Sequence, residues 1–171
     1  RSRHHCRSGK QPQNLVKTVR IIAGTFRGRR LATVGKTDSS THLRPTTDRV
    51  RENLFNLLSS GRIGNRLADA RVLDLFTGTG ALAFEALSRG ASSIWMVDNG
   101  VKSAALVQKN IALCPTDAEV VFKKLDATRL PKCPVEAFDL IFLDPPYSKG
   151  LGEIALQIAL ERGWIAPAAC I

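Results

Sequence analysis

From Arg71 onward, short apolar, β-branched runs alternate with helical stretches, and an aspartate closes each run. Strands are expected near residues 71–76, 93–98, 119–124 and 139–144, and helices near 80–89, 101–113 and 150–162. Strand and helix repeating in this order build a parallel sheet with helices on its faces. Asp74, Asp98, Asp126 and Asp144 then all fall at the carboxyl ends of strands, beside the crevice where such sheets bind ligands. One acid there can be a helix cap, but four in register point to a site. The last residues, Ala168-Ala169-Cys170-Ile171, are expected only to begin a fifth strand.

The fourth run, Asp139-Leu140-Ile141-Phe142-Leu143, ends in Asp144-Pro145-Pro146-Tyr147. Two consecutive prolines have no N–H to donate, so they stop a central strand and set a stiff turn. The turn places a carboxylate before it and an aromatic ring after it. A planar nitrogen base fits between them. The ring stacks on the base's face, while Asp144 and the Pro145 carbonyl accept hydrogen bonds from an exocyclic amino group. Accepting those bonds makes the nitrogen lone pair more available to a methyl donor.

The first run leads into Asp74-Leu75-Phe76-Thr77-Gly78-Thr79-Gly80 and then a helical stretch. This is the strand–turn–helix context of a nucleotide loop. Gly78 and Gly80 are expected to let a ligand approach the backbone. Asp98, at the end of the second run, can accept from both ribose hydroxyls of an adenosine. Gly78 to Ala83 also fits Gly-x-Gly-x-x-Ala, which leaves a nicotinamide dinucleotide as the competitor. Against it stand the charge of Asp74, awkward for a pyrophosphate but useful near the cationic end of S-adenosylmethionine, and the double-proline turn, which a dinucleotide leaves unexplained.

At 171 residues the chain is long enough for one domain with a real core. No apolar run approaches the roughly 20 residues a membrane-crossing helix needs. The net charge of +10 is uneven: residues 1–37 hold ten Lys or Arg and no acid, whereas residues 38–171 hold fifteen of each sign. A basic segment of this kind suits phosphate binding, with a solvated tail as the plain alternative for residues 1–14. The arginine- and serine-containing, acid-free start also fits the remnant of an organelle transit peptide, such as a plastid one; otherwise the cytoplasm is expected. Cys6, Cys114, Cys133 and Cys170 form no Cys-x-x-Cys and read as free thiols. With His4, His5 and His42 they make no metal-ligand spacing, so no metal site is expected.

Residues 1–18 read as a basic flexible tail, 19–43 as a hairpin and loop, and 44–171 as the main domain. Val19 to Leu31 is expected to form the hairpin, with Arg27, Arg29 and Arg30 beside Phe26 as a basic ribbon with one stacking ring. Arg44-Pro45-Thr46-Thr47-Asp48 signals a helix start, with Thr46, Thr47 or Asp48 as cap. The helix is expected to bury Val50, Leu54, Leu57 and Leu58.

Together these residues resemble the class I S-adenosylmethionine-dependent methyltransferases, and more narrowly the bacterial RsmD family, which methylates the 2-amino group of a guanine in 16S ribosomal RNA. The narrow likeness rests on Arg20 to Gly24, Arg27 to Leu31 and Leu43 to Glu52. It continues through Asp74 to Leu82, Glu85 to Gly90, Asp144 to Tyr147 and Gly163-Trp164-Ile165. It spans about residues 19–171. The resemblance implies an α/β Rossmann-like three-layer sandwich with a mostly parallel sheet and a small N-terminal hairpin. The family's closing antiparallel strands are expected to be missing from this chain. Asp98 stands where the family usually has Glu.

By the same resemblance, Asp74, Phe76, Gly78, Gly80, Asp98 and Asp126 would bind S-adenosylmethionine, with S-adenosylhomocysteine as product. Asp98 would hold the ribose and Asp126 the adenine amino group. Asp144, Pro145, Pro146 and Tyr147 would grip the target guanine. Arg27, Arg29, Arg30, Arg44 and Arg49 would meet ribosomal RNA, free or in an assembling 30S particle, and the protein would act as a monomer. The alternatives are a DNA adenine-N6 methyltransferase, since Asp-Pro-Pro-Tyr serves there too, and a donor- or RNA-binding remnant without activity.

Overall fold

The structure, a computed structural model, describes residues 19–33, 47–61, 64–146 and 150–171. The basic tail, His4, His5, Cys6, His42, Arg44 and Tyr147 lie outside the described residues. The elements run β1 Val19–Arg20, β2 Arg30–Leu31, α1 Asp48–Ser59, β3 Arg71–Leu75, α2 Ala81–Ser88, β4 Ser93–Val97 and α3 Val101–Leu113. They continue with β5 Glu119–Lys123, a 3-10 turn at Ala127–Arg129, β6 Phe138–Leu143, α4 Leu151–Glu161 and β7 Ile165–Cys170.

Strands β3 to β7 form one parallel sheet in the order β5-β4-β3-β6-β7. The chain starts at the centre, builds outward to β5, then crosses back to lay β6 on the other side of β3. That reversal makes the β3–β6 boundary the switch point of the sheet, where the flanking loops part and leave a crevice. The fifth strand starts at Ile165, earlier than the closing alanines suggest, and its Pro167 is exposed on the outermost strand among the described residues. A proline is tolerated there because an edge strand can spare the missing N–H.

Alternation along the strands divides the core in two. On one face Val72, Ile94, Met96, Leu140 and Phe142 pack against α1, α2, α3 and the hairpin. On the other Leu73, Leu75, Trp95, Val97 and Ile141 pack against α4 and Trp164. The rings of Phe138 and Trp164 stack 6.0 Å apart and fix the second layer.

Two local expectations need correction. In α1 Val50 and Leu57 are 55% and 51% exposed, while Arg51, Phe55 and Leu58 are buried and Leu54 is half-buried. Arg51 sets this face. Its Nη2 donates to the Arg20 carbonyl at 2.6 Å and to Asp48 Oδ1 at 2.8 Å, and Phe55 meets the Phe142 ring at 5.6 Å. Burial draws the Arg51 pKa below its ordinary value, and the Asp48 and Glu85 carboxylates pull it back up. Thr47 caps the helix, its hydroxyl accepting from the Val50 N–H.

The hairpin also differs. Only Val19–Arg20 and Arg30–Leu31 pair as strands. The turn between them closes on itself through Ile21 N–H to the Arg29 carbonyl and Gly28 N–H to the Ile21 carbonyl, at 2.9 and 2.8 Å, and it also bonds to α2. Ile22 and Ala23 N–H donate to the Glu85 carboxylate at 2.7 and 3.1 Å. Ser88 Oγ accepts from Phe26 N–H at 2.9 Å, and the Ser88 carbonyl accepts from Thr25 N–H at 2.8 Å. Gly24, at φ +82°, has no room for a side chain, since a Cβ would stand 1.7 Å from the Ser88 carbonyl oxygen.

Candidate active site

Register brings the two singled-out corners together. Leu75 at the end of β3 lies opposite Leu143 at the end of β6. The glycine turn at residues 76–80 and the turn at Asp144-Pro145-Pro146 therefore leave adjacent strands at the same end, one strand spacing (about 4.8 Å) apart at their roots.

The glycine turn is held from several sides. Thr77 N–H donates to the Val97 carbonyl at 3.1 Å, and Gly78 N–H donates to Asp98 Oδ2 at 2.9 Å. Gly100 N–H reaches Asp98 Oδ1 at 2.8 Å. The Asp98 carboxylate is thus oriented by two backbone donors, and each oxygen keeps acceptor capacity. Phe76 opens the turn at φ +60°, a left-handed conformation that costs a non-glycine residue on the order of 1–2 kcal/mol. Gly80, at φ +80°, is also required by packing. A Cβ on it would meet the Phe84 ring at 2.7 Å and Met96 Sδ at 3.0 Å, so its bareness serves the packing of the turn on α2 and β4.

Asp74 lies within β3 rather than beyond it, on the face covered by α2, and is buried. Its Oδ2 accepts from Thr77 Oγ1 at 2.6 Å. Burial pushes its pKa up to about 7. The Thr77 hydroxyl and the Ala83 N–H pull it down, and the charges of Asp144 and Asp98 add to the rise. The three acids therefore share one electrostatic field.

This has a measurable sign. The folded pKa of about 7 lies above the ordinary 3.8, so between those values the native state holds a proton that the unfolded chain releases. The Asp74 contribution is most favourable below about pH 4, falls as pH rises and is level above about pH 7. Stability of the wild type relative to Asp74→Asn is expected to drop by roughly 1.4 kcal/mol per pH unit between pH 5 and 7. Urea unfolding of both proteins across that range measures it. Parallel pH curves would mean that Asp74 is ionised throughout.

Asp126 lies beyond β5, where it caps the 3-10 turn. Its Oδ1 accepts from Thr128 Oγ1 at 2.7 Å and Thr128 N–H at 2.9 Å, and the Thr128 hydroxyl and N–H hold its pKa below the ordinary value. Asp144 and Pro146 are exposed and Pro145 is half-buried. Arg27, Arg30 and Arg49 are exposed. Arg29 is exposed too, but its guanidinium lies 5.2 Å over the Phe26 ring and donates through Nη1 to the Leu113 carbonyl at the end of α3.

Sequence reasoning missed the residues that join these parts. Asn110 on α3 is buried. Its Oδ1 accepts from Ala32 N–H at 2.7 Å, and its Nδ2 donates to the Ala32 and Thr79 carbonyls at 3.3 and 2.8 Å. The end of the basic ribbon thereby meets the glycine turn through one side chain. Glu85 and Ser88 were also missed as anchors. The available signal was a carboxylate inside the otherwise apolar stretch Ala81 to Leu87. Among the described residues no group of three or more His, Cys, Asp or Glu could hold a metal, and no helix is long and apolar enough to cross a membrane.

Comparison with known proteins agrees with this arrangement. The family described as Conserved hypothetical protein 95 matches residues 19–171. The chain is 38% identical over 165 residues to the ribosomal RNA small subunit methyltransferase D of Haemophilus influenzae, covering 94% of this chain and 80% of that protein. It is 38% identical over 154 residues to the protein of the same name from Escherichia coli K12, covering 90% and 72% respectively. Among solved structures, the Escherichia coli methyltransferase candidate yhhF superposes with a TM-score of 0.72 at 34% identity, covering 87% of this chain and 76% of that one. With that match over the whole described sheet and the N-terminal hairpin, the chain belongs to the Conserved hypothetical protein 95 family, the RsmD-type methyltransferases.

Proposed function

We propose that this chain transfers a methyl group from S-adenosylmethionine to the exocyclic 2-amino group of a guanine in small-subunit ribosomal RNA. One observation carries the reading: the β3–β6 register sets the glycine turn beside the double-proline turn, on the switch point of the sheet. The chemistry of the residues fits a methyl donor. Asp98, oriented by the Gly78 and Gly100 N–H groups, offers two oxygens to a ribose diol. Asp74, a buried carboxyl with a raised pKa, suits a neighbouring cation that would favour its charged form. Asp126 keeps one carboxylate oxygen beyond its Thr128 cap bonds for an adenine amino group.

S-adenosylmethionine supplies a methyl group on a sulfonium, already a good leaving group. The work left to the protein is alignment. Asp144 and the Pro145 carbonyl accept from the target amine, and Tyr147 stacks on the base. With the donor bound, the amine lone pair would form the N–C bond as the C–S bond breaks, and the C–S bonding pair would stay on the sulfur. The surplus amine proton passes to Asp144 or through it to water. The base leaves its stack to reach the turn. Arg27, Arg29, Arg30, Arg44 and Arg49 bind the surrounding phosphates, with an assembling 30S particle as the partner and the cytoplasm as the setting.

The test is incorporation of tritiated methyl from S-adenosylmethionine into 16S ribosomal RNA, assembling 30S particles and duplex DNA. Label on the guanine 2-amino group of RNA supports the reading. Label on adenine of the duplex alone would replace it with a DNA methyltransferase.

A further inference from the structure

We infer that Asn110 is a positioning residue that couples nucleic-acid contact on the basic ribbon to donor binding at the glycine turn. The inference rests on the function proposed above and adds a link between its two binding surfaces. Asn110 meets Ala32 as a neighbouring strand would, accepting from its N–H at 2.7 Å and donating to its carbonyl at 3.3 Å. The same Nδ2 donates to the Thr79 carbonyl at 2.8 Å. Thr79 is the residue between Gly78, whose N–H holds Asp98, and Gly80, from which α2 starts.

Ala32 follows directly on Arg30–Leu31, the second strand of the ribbon. A shift of that strand therefore reaches the turn through a single amide. The amide is buried, so each of its bonds is strong and costly to leave unmade. Glu85 and Ser88 hold residues 22–26 to α2, Arg51 holds the Arg20 carbonyl to α1 and Arg29 bonds the Leu113 carbonyl at the end of α3, whereas Asn110 bonds the segment and the turn at once. Coupling between two binding events is reciprocal, so RNA on the ribbon raises donor affinity by the same factor as the donor raises RNA affinity.

Amide hydrogen exchange of the wild-type chain, with and without saturating S-adenosylhomocysteine, reads the link without any substitution. The Ala32 N–H is expected to exchange about fivefold or more slowly with the product bound. Calorimetry adds the second arm: S-adenosylhomocysteine affinity measured with and without a 16S ribosomal RNA transcript. RNA is expected to raise that affinity about fivefold or more in the wild type and to leave it unchanged in Asn110→Ala, which still binds the product. Product binding with no change at Ala32 overturns the coupling alone. Absence of any product binding by the wild type overturns the underlying function as well. If Asn110→Ala fails to fold, the wild-type exchange result decides.

Discussion

Asp144→Ala is expected to lower methyl transfer by about 10²–10⁴-fold while leaving S-adenosylhomocysteine binding within a factor of about three. The side chain lies beyond β6, exposed, at the double-proline turn, and its charge is felt by Asp74. In the proposed role it orients the amine and takes up its proton, which matters in the transition state and little for the donor's own contacts. Single-turnover incorporation into 30S particles measures the first quantity and calorimetry the second. Loss of donor affinity in step with turnover would place Asp144 in the donor pocket instead.

Glu85→Ala is expected to cost about 3–5 kcal/mol of stability, the range for breaking a buried ion pair on one side. The carboxylate is buried and accepts from Ile22 N–H, Ala23 N–H and Arg89 Nε, the last at 2.7 Å. Alanine strands two backbone donors and a guanidinium that is itself mostly buried. Glu85→Gln keeps one acceptor oxygen and is expected to cost roughly half as much. Urea unfolding gives both values, and trypsin cleavage at Arg27, Arg29 and Arg30 should accelerate in the alanine variant because the turn loses its hold on α2. A change within about 1 kcal/mol for alanine would mean that water replaces the carboxylate at those donors.

The segmentation of the sheet was legible because its signals are local. The runs at 71–75, 93–97, 119–123 and 138–143 are apolar and bounded by turn residues, and each helix between them begins at or just after a glycine. The place of β6 on the other side of β3 was not legible, because alternation of strands and helices alone does not say where the order reverses. The face of α1 was not legible, because hydrophobic periodicity counts Arg51 as a solvent residue. Its burial depends on a carbonyl 31 positions away. The docking of the hairpin was hidden for the same reason: Glu85 and Ser88 bond backbone groups more than 60 positions earlier. At the candidate site, the acids and glycines were readable as types and spacings. Their environments were not, so Asp74 reads as a fixed charge in the sequence yet sits buried as a titrating group in the fold.

The strand order also dictates a timetable for biosynthesis. β3, β4 and β5 are consecutive in the chain and can zip together as they leave the ribosome, but the partner on the other flank of β3 begins only at Phe138. Joining it closes a span of more than sixty residues, the slow kind of event in folding. Until Phe138–Leu143 is available, the folding chain holds the glycine-turn half of the cleft with one side of its middle strand bare, a surface open to wrong pairing.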